Sequence, residues 1–310
     1  MSPSCDAVLL IGFGGPTRPD EIRPFLQNDA RGRPIPPARL EEVAHHYEAI
    51  GGRSPYNELT FRQADALRAL LERERTPLPV HVGMRNWAPY VKDAMREIAR
   101  NGARRVFCFP LAAHRSEASW QRYQQAVTEA VAQLGAGAPA RVYPPPWHTH
   151  PLFIGAAAQR LRSVLQAMDD SERKAAQLIF TAHSIPIAMD RQSGYSEQIA
   201  ESCRLTAHEL GLERWSLAYQ SRSGNPHDSW LEPDIAQVLR GLGGQTAVIM
   251  PIGFICDHVE VLYDLDVEAA SIARAAGVRM RRAPTVGDHP LFIRMIAELL
   301  KCDSIEIGEG

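Results

Sequence analysis

The chain has 310 residues, 45% of them hydrophobic and 23% charged, with a formal net charge of -2. That is enough for about two domains with ample core material, and the charge balance excludes a global field drawing nucleic acid or an anionic membrane. Its cysteines, Cys5, Cys108, Cys203, Cys256 and Cys302, form no CxxC pair, which argues against a thiolate zinc site or an iron–sulfur cluster. An odd, scattered set with no basic n-region ahead of it fits a reducing compartment. The longest apolar runs fall far short of a membrane span, so a cytoplasmic protein without an integral membrane segment is expected.

In chain order, short apolar runs predict strands at Ala7 to Ile11, Val80 to Val82, Val106 to Phe109, Leu178 to Phe180 and Ala247 to Met250. Such runs suit strands buried on both faces of a parallel sheet. Helical patterns separate them. They cover Phe61 to Glu74, Tyr90 to Asn101 before Gly102, Ser119 to Leu134 before Gly135, Leu152 to Met168, Ser196 to Leu210, Pro233 to Leu242, His258 to Ala276 before Gly277, and Pro290 to Lys301. Alternating strands and helices, closed by glycines at helix ends, predict a doubly wound α/β protein.

A faint duplication runs through the pattern. Ala7 to Pro16 parallels Gln177 to Pro186, and Arg105 to Leu111 parallels Thr246 to Ile252. Two similar halves facing each other across a cleft are expected, joined near Pro110 to Ser116. The stretch Gly135 to His150 reads as a long connection within the second half.

Two strand ends carry polar chemistry. Thr181-Ala182-His183-Ser184-Ile185-Pro186 follows one apolar run, and Pro251-Ile252-Gly253-Phe254 through Asp264 follows another. Ligands of open parallel sheets bind at such carboxyl ends. His183 offers an imidazole. Glu260, Asp264 and Glu268, spaced i, i+4, i+8, share one face of a helix, with Glu260 in its first turn. A facing imidazole and carboxylate suit a divalent transition metal and protons. A capping histidine and a solvated acidic stripe are the plainer readings of the same residues.

Gly12-Phe13-Gly14-Gly15-Pro16 lacks the third glycine of a dinucleotide fingerprint, since Thr17 stands there; it reads as a tight turn that lets a flat ligand approach the backbone. Arg31-Gly32-Arg33 and Gly51-Gly52-Arg53-Ser54 place cations and a hydroxyl on loops, where arginine captures carboxylates. His45-His46 and His148-Thr149-His150 read as loop histidines, because no carboxylate completes a metal set beside them. Ser184 lacks a nucleophile elbow.

These segments together resemble the ferrochelatases, in their short bacterial form. The resemblance is carried by Leu10 to Pro16, Tyr47 to Pro55, Ala182 to Pro186, Tyr219-Gln220-Ser221 with Trp230 to Asp234, and Pro251 to Gly253-Phe254 with Asp257 to Asp264. It implies two similar Rossmann-like, chelatase-type domains, parallel sheets flanked by helices, with a cleft between them. The expected division is 5–113 plus 287–303, with the C-terminal helix returning, and 114–286. The implied activity is insertion of Fe2+ into a porphyrin in haem biosynthesis, with coproporphyrin III favoured over protoporphyrin IX. Non-catalytic porphyrin binding on the same fold is a second reading, a nucleotide-binding α/β enzyme a third.

By the same resemblance His183 and Glu260 are the catalytic, metal-handling pair, and Asp264 and Glu268 continue an acidic path for metal or protons. Phe13, Arg31, Arg53, Ser54 and Tyr123 fall on or beside porphyrin-binding positions. Phe13 stands where relatives carry a metal-ligating tyrosine, Ala30 and His46 where they carry arginines, and Asn86 where an outer metal site has a histidine. Iron is expected as substrate, with no resident cofactor or iron–sulfur cluster. Porphyrin and Fe2+ are the expected partners, with no nucleic acid, and the chain is expected to act as a monomer.

Overall fold

The computed structural model describes residues 5–32, 35–223, 228–301 and 306–307. The chain runs β1 (Ala7–Gly12), α1 (Ile22–Asp29), α2 (Pro37–Ala49), α3 (Tyr56–Arg73), β2 (Val80–Met84), α4 (Val91–Arg100), β3 (Arg105–Pro110), α5 (Arg122–Leu134) and β4 (Ala140–Tyr143). It continues with α6 (Pro151–Gln166), α7 (Asp170–Ala175), β5 (Gln177–His183), α8 (Ile187–Ser193), α9 (Tyr195–Glu209), β6 (Trp215–Gln220), α10 (Ile235–Gly241) and β7 (Thr246–Met250). Then come α11 (Val259–Leu262), a π-helical stretch (Asp264–Ala269), α12 (Ala270–Ala275), β8 (Arg279–Arg282), α13 (Pro290–Leu299) and β9 (Glu306–Ile307).

Two sheets form. The first has the order β2-β1-β3-β4 with β9 added antiparallel to β4; the second has the order β6-β5-β7-β8. All other pairings are parallel. The two orders are the same topology, so the duplication read from β1 against β5 and β3 against β7 is present as two equivalent sheets. In each, the connection reverses direction between the two central strands. This is the switch point at which open α/β sheets leave a crevice.

Alternation along the strands explains how the halves join. Val8, Leu10, Phe107 and Phe109 of the first sheet and Leu178, Phe180, Val248 and Met250 of the second belong to one core. Helices α3, α6, α9 and α13 contribute Leu67, Leu161, Ile199 and Phe292 to it. The opposite faces, with Leu9, Ile11 and Cys108 in one sheet and Ile179, Ala247 and Ile249 in the other, pack under separate outer helices. Period-two side chains on strands covered on both faces give this arrangement directly. Among the described residues no helix is long and apolar enough to cross a membrane.

The expected division at residue 113/114 needs correction. Strand β4 pairs with β3 at Arg105–Ala140 through Phe107–Val142, so that boundary cuts the first sheet, whose last parallel strand ends at Tyr143. The stretch expected as a connection therefore holds a strand. The last helix, α13, packs on both α3 and α6.

Candidate active site

Loops after β1, β3, β5 and β7, the central strands of both sheets, converge on a cleft of about 450 Å³. Its walls include Phe13 and Gly14, Leu111 to His114, His183 to Pro186, Gly253 to Cys256, and His258 to Glu260. The two switch points thus face each other, and the size is in the range of small-molecule sites.

His183 ends β5, and Glu260 lies in the first turn of α11 after β7. Because β5 and β7 are hydrogen-bonded neighbours, the two side chains meet at the switch point of the second sheet. His183 Nε2 is 3.5 Å from Glu260 Oε1, and the side chains keep 26% and 37% of their exposure, toward the cleft. His183 Nδ1 donates to the Ser184 carbonyl, leaving Nε2 as the nitrogen that exchanges protons. The Tyr195 hydroxyl donates to the His183 carbonyl at 3.2 Å and fixes the strand end.

Glu260 also faces a second imidazole. The backbone N–H of Glu260 donates to His258 Nδ1 at 3.3 Å, capping α11; neutral His258 therefore carries its proton on Nε2, 4.0 Å from Glu260 Oε2. On the other side the Gln220 side-chain amide donates to the Glu260 carbonyl. Among the described residues no group of three or more histidines, cysteines or carboxylates is assembled to hold a metal ion; His183, Glu260 and His258 all line the cleft.

The charges are coupled. Burial alone would raise the Glu260 carboxyl, but the facing His183, then His258, pull it down to about 2. Burial alone would depress His183; Glu260, the Ser184 carbonyl and Asp264 outweigh it, and the net shift is upward. The opposite shifts of His183 and Glu260 are the mutual effect of one pair, whose titration belongs to both groups. Burial depresses His258 despite its acidic neighbours. Burial pushes Asp264 up to about 7, with the charges of Glu260 and Glu268 adding to it and a hydrogen bond from Ser221 opposing it. Ser221 holds that hydroxyl with a φ of 61°, a left-handed backbone uncommon for a non-glycine residue.

The helix beneath is not uniform. Glu268 N–H reaches the Tyr263 carbonyl, five residues back, at 2.9 Å. Four residues advance slightly more than one α turn and slightly less than one π turn. The α step from Glu260 to Asp264 and the π step from Asp264 to Glu268 therefore offset each other, and the acids stay in line. Glu268 ends the row exposed to solvent.

Comparison with known proteins turns this geometry into a family assignment. The profile of the family described as "Ferrochelatase" matches residues 5–303. The chain belongs to the ferrochelatase family. It is 43% identical to the coproporphyrin III ferrochelatase of Mycobacterium avium, covering 98% of this chain and 89% of the relative. It is 40% identical to that of Nocardia farcinica (96% and 87%) and 39% identical to the ferrochelatase of Rhodopirellula baltica (96% and 86%). A cobalt complex of the sirohydrochlorin chelatase SirB from Bacillus subtilis subspecies spizizenii shares the fold at a TM-score of 0.55 and 10% identity, over 95% of this chain and 93% of that one. As a ferrochelatase-family protein, the chain is a porphyrin metal chelatase.

Of the residues read from sequence, His183, Glu260, Phe13, Ser54 and Tyr123 line the cleft. Phe13 is half-buried edge-on against Phe25, with the Arg85 guanidinium 5.7 Å from its ring centroid. Ser54 is 5% exposed, its hydroxyl accepting from Tyr56 N–H. Arg31 and Arg53 are exposed and stand outside the lining; Arg33 lies outside the described residues. Ala30 caps α1, and Asn86 donates to Asp29 at 2.9 Å, tying α1 to the end of β2. His45 and His46 sit on α2 rather than a loop, and His46 stacks on Tyr263 at 3.8 Å.

The glycine turn is also packed tightly against the protein itself. Added Cβ atoms at Gly12 and Gly15 would meet Tyr56 and Met84 at 2.9 Å and Ser54 at 2.8 Å. The close approaches at Gly12 and Gly15 are to Tyr56 of α3, Met84 of β2 and Ser54 just before α3, while Gly14, with a φ of 89°, lines the cleft.

Residues not singled out from sequence complete the site. His258 lies inside a quoted motif, and its i, i+2 relation to Glu260 behind a strand end is the signal that finds it. Tyr56 accepts from Phe13 N–H at 3.0 Å and is hydrogen-bonded to the Tyr123 hydroxyl. Arg85 and Arg122 line the cleft, and nothing in a single sequence separates them from other surface arginines.

Proposed function

We propose that this chain inserts Fe(II) into coproporphyrin III in haem biosynthesis, acting as a monomer in the cytoplasm with iron as substrate and no resident cofactor. One observation carries this reading: His183 and Glu260 meet at 3.5 Å over a cleft walled by Phe13, Tyr123, Trp230 and Phe254. The printed names of the Mycobacterium avium and Nocardia farcinica relatives support coproporphyrin III as the porphyrin.

Insertion exchanges two pyrrole N–H protons for one Fe(II), so the site must take up two protons while it brings in a dication. A neutral His183 Nε2 is the acceptor nearest the cleft. Glu260 and the Ser184 carbonyl make this imidazole more basic than a free one, despite its burial. Approach of the dication disfavours the imidazolium, and Glu260, acidic down to about 2, remains a carboxylate that offsets the metal's charge. Asp264, poised at about 7, accepts or returns a proton at physiological pH, and exposed Glu268 passes it to solvent. Apolar walls that fit a bent macrocycle better than a flat one would favour the transition state over the substrate.

The test is anaerobic Fe(II) insertion with coproporphyrin III and protoporphyrin IX side by side. The expected result is a kcat/KM for coproporphyrin III at least about tenfold higher, as one or two additional charge-assisted contacts supply. Preference for protoporphyrin IX would overturn the substrate. Tight binding of both with no metallation of either would overturn the catalytic reading in favour of a carrier.

A further inference from the structure

The cleft has a cation that neither the sequence reading nor the resemblance assigns. Arg31 and Arg53 stand outside the lining, Ala30 carries no charge, and His46 is occupied by its stack on Tyr263. The permanent cations among the lining residues are Arg85 and Arg122. Arg85 is spread over the Phe13 ring. Arg122, the first residue of α5, is half-buried, and among the described residues it makes no hydrogen bond or ion pair. A half-buried guanidinium has given up hydration without gaining a protein acceptor, and its fork of donors matches a carboxylate. Its neighbour Tyr123 lines the same cleft, its hydroxyl hydrogen-bonded to that of Tyr56. Guanidinium and phenol are therefore adjacent polar groups lining the cleft.

We propose that Arg122, with the Tyr123 hydroxyl beside it, binds a propionate of the porphyrin; this rests on the porphyrin-metallation reading above. Arg122 is a specificity residue for the carboxylate-rich porphyrin and takes over charge compensation that Ala30 and His46 do not provide.

Binding of coproporphyrin III and of its tetramethyl ester to the full chain, in one detergent buffer, tests this. Arg122→Ala should weaken coproporphyrin III binding about tenfold or more, the size of a lost charge-assisted hydrogen bond, and leave the ester's Kd where it is. Arg122→Lys should restore part of the loss by returning the charge without the fork. Unchanged coproporphyrin III affinity in Arg122→Ala, or equal weakening of acid and ester, would overturn the assignment. Wild-type protein that binds neither probe would instead remove the porphyrin reading, and the assignment with it. Matching melting temperatures for both variants and the wild type show that the comparison is between folded proteins.

Discussion

Of the two acids Glu260 and Asp264, Asp264 departs further from its ordinary form. Its carboxyl is raised from 3.8 to about 7 by burial and two acidic neighbours, so the folded state holds this proton more tightly than the unfolded chain does. The stabilisation is complete below pH 3.8 and is lost as the pH rises through about 7. Asp264→Asn keeps an acceptor for Ser221 and removes the titration. The variant's stability relative to wild type should therefore rise between pH 5 and pH 8, by about 1–2 kcal/mol after allowing for partial solvation. A constant offset in thermal unfolding at the two pH values would contradict the shift. The three acids and His183 were legible in the sequence, because a strand end followed by a polar residue and an i, i+4, i+8 spacing are local signals. Arg122 and Tyr56 were not, since their importance comes from which neighbours they lack or share in space, whereas His258 carries a local signal in its i, i+2 spacing to Glu260.

Among the elements, the turn between β7 and α11 sets the distance between the two halves of the catalytic pair. Gly253 N–H donates to the Thr181 carbonyl at 3.0 Å, and a Cβ at Gly253 would lie 2.6 Å from Ala182 Cβ and 2.7 Å from its Cα. Ala182 precedes His183, and neither backbone has room to give. Gly253→Ala should destabilise the fold by about 1–3 kcal/mol and lower kcat by about 10–100-fold, because a shift of order 1 Å between reacting groups costs that much. A Gly253→Ala protein with wild-type kcat would show that this contact does not govern the pair. Elements were legible in proportion to their burial. Strands β1, β3, β5 and β7 are continuous apolar runs at the sheet centres. Strands β6 and β8 are sheet edges, and β8 is Arg279-Met280-Arg281-Arg282, with Arg281 paired to Glu172 and Arg282 to Asp257 and Asp266. Charge blunts an exposed edge and erases the strand signal at the same time. Helices α1 and α2 carry Pro24 and Pro37 in their first turns, where proline is tolerated but reads as a breaker. The π-helical stretch was read as ordinary helix, since side-chain periodicity over six residues cannot separate the two.

Across the whole molecule, duplication positions the site. Two sheets of the same strand order share a central layer of helices, and each directs the crevice at its switch point toward the other. One half supplies the imidazole and the carboxylates, and the other supplies Phe13, Ser54, Tyr123, Arg85 and Arg122 for the ring and its substituents. The repeat was faintly visible in the central strands, but the boundary between halves was not, because β4 is four residues long and only partly apolar. The most direct test of the account is anaerobic Fe(II) insertion into coproporphyrin III by His183→Ala, followed from the porphyrin absorbance, with porphyrin binding and melting temperature measured on the same sample. The account predicts a folded protein that still binds the porphyrin and whose insertion rate falls at least about 100-fold. Insertion at close to the wild-type rate by that folded variant would contradict it.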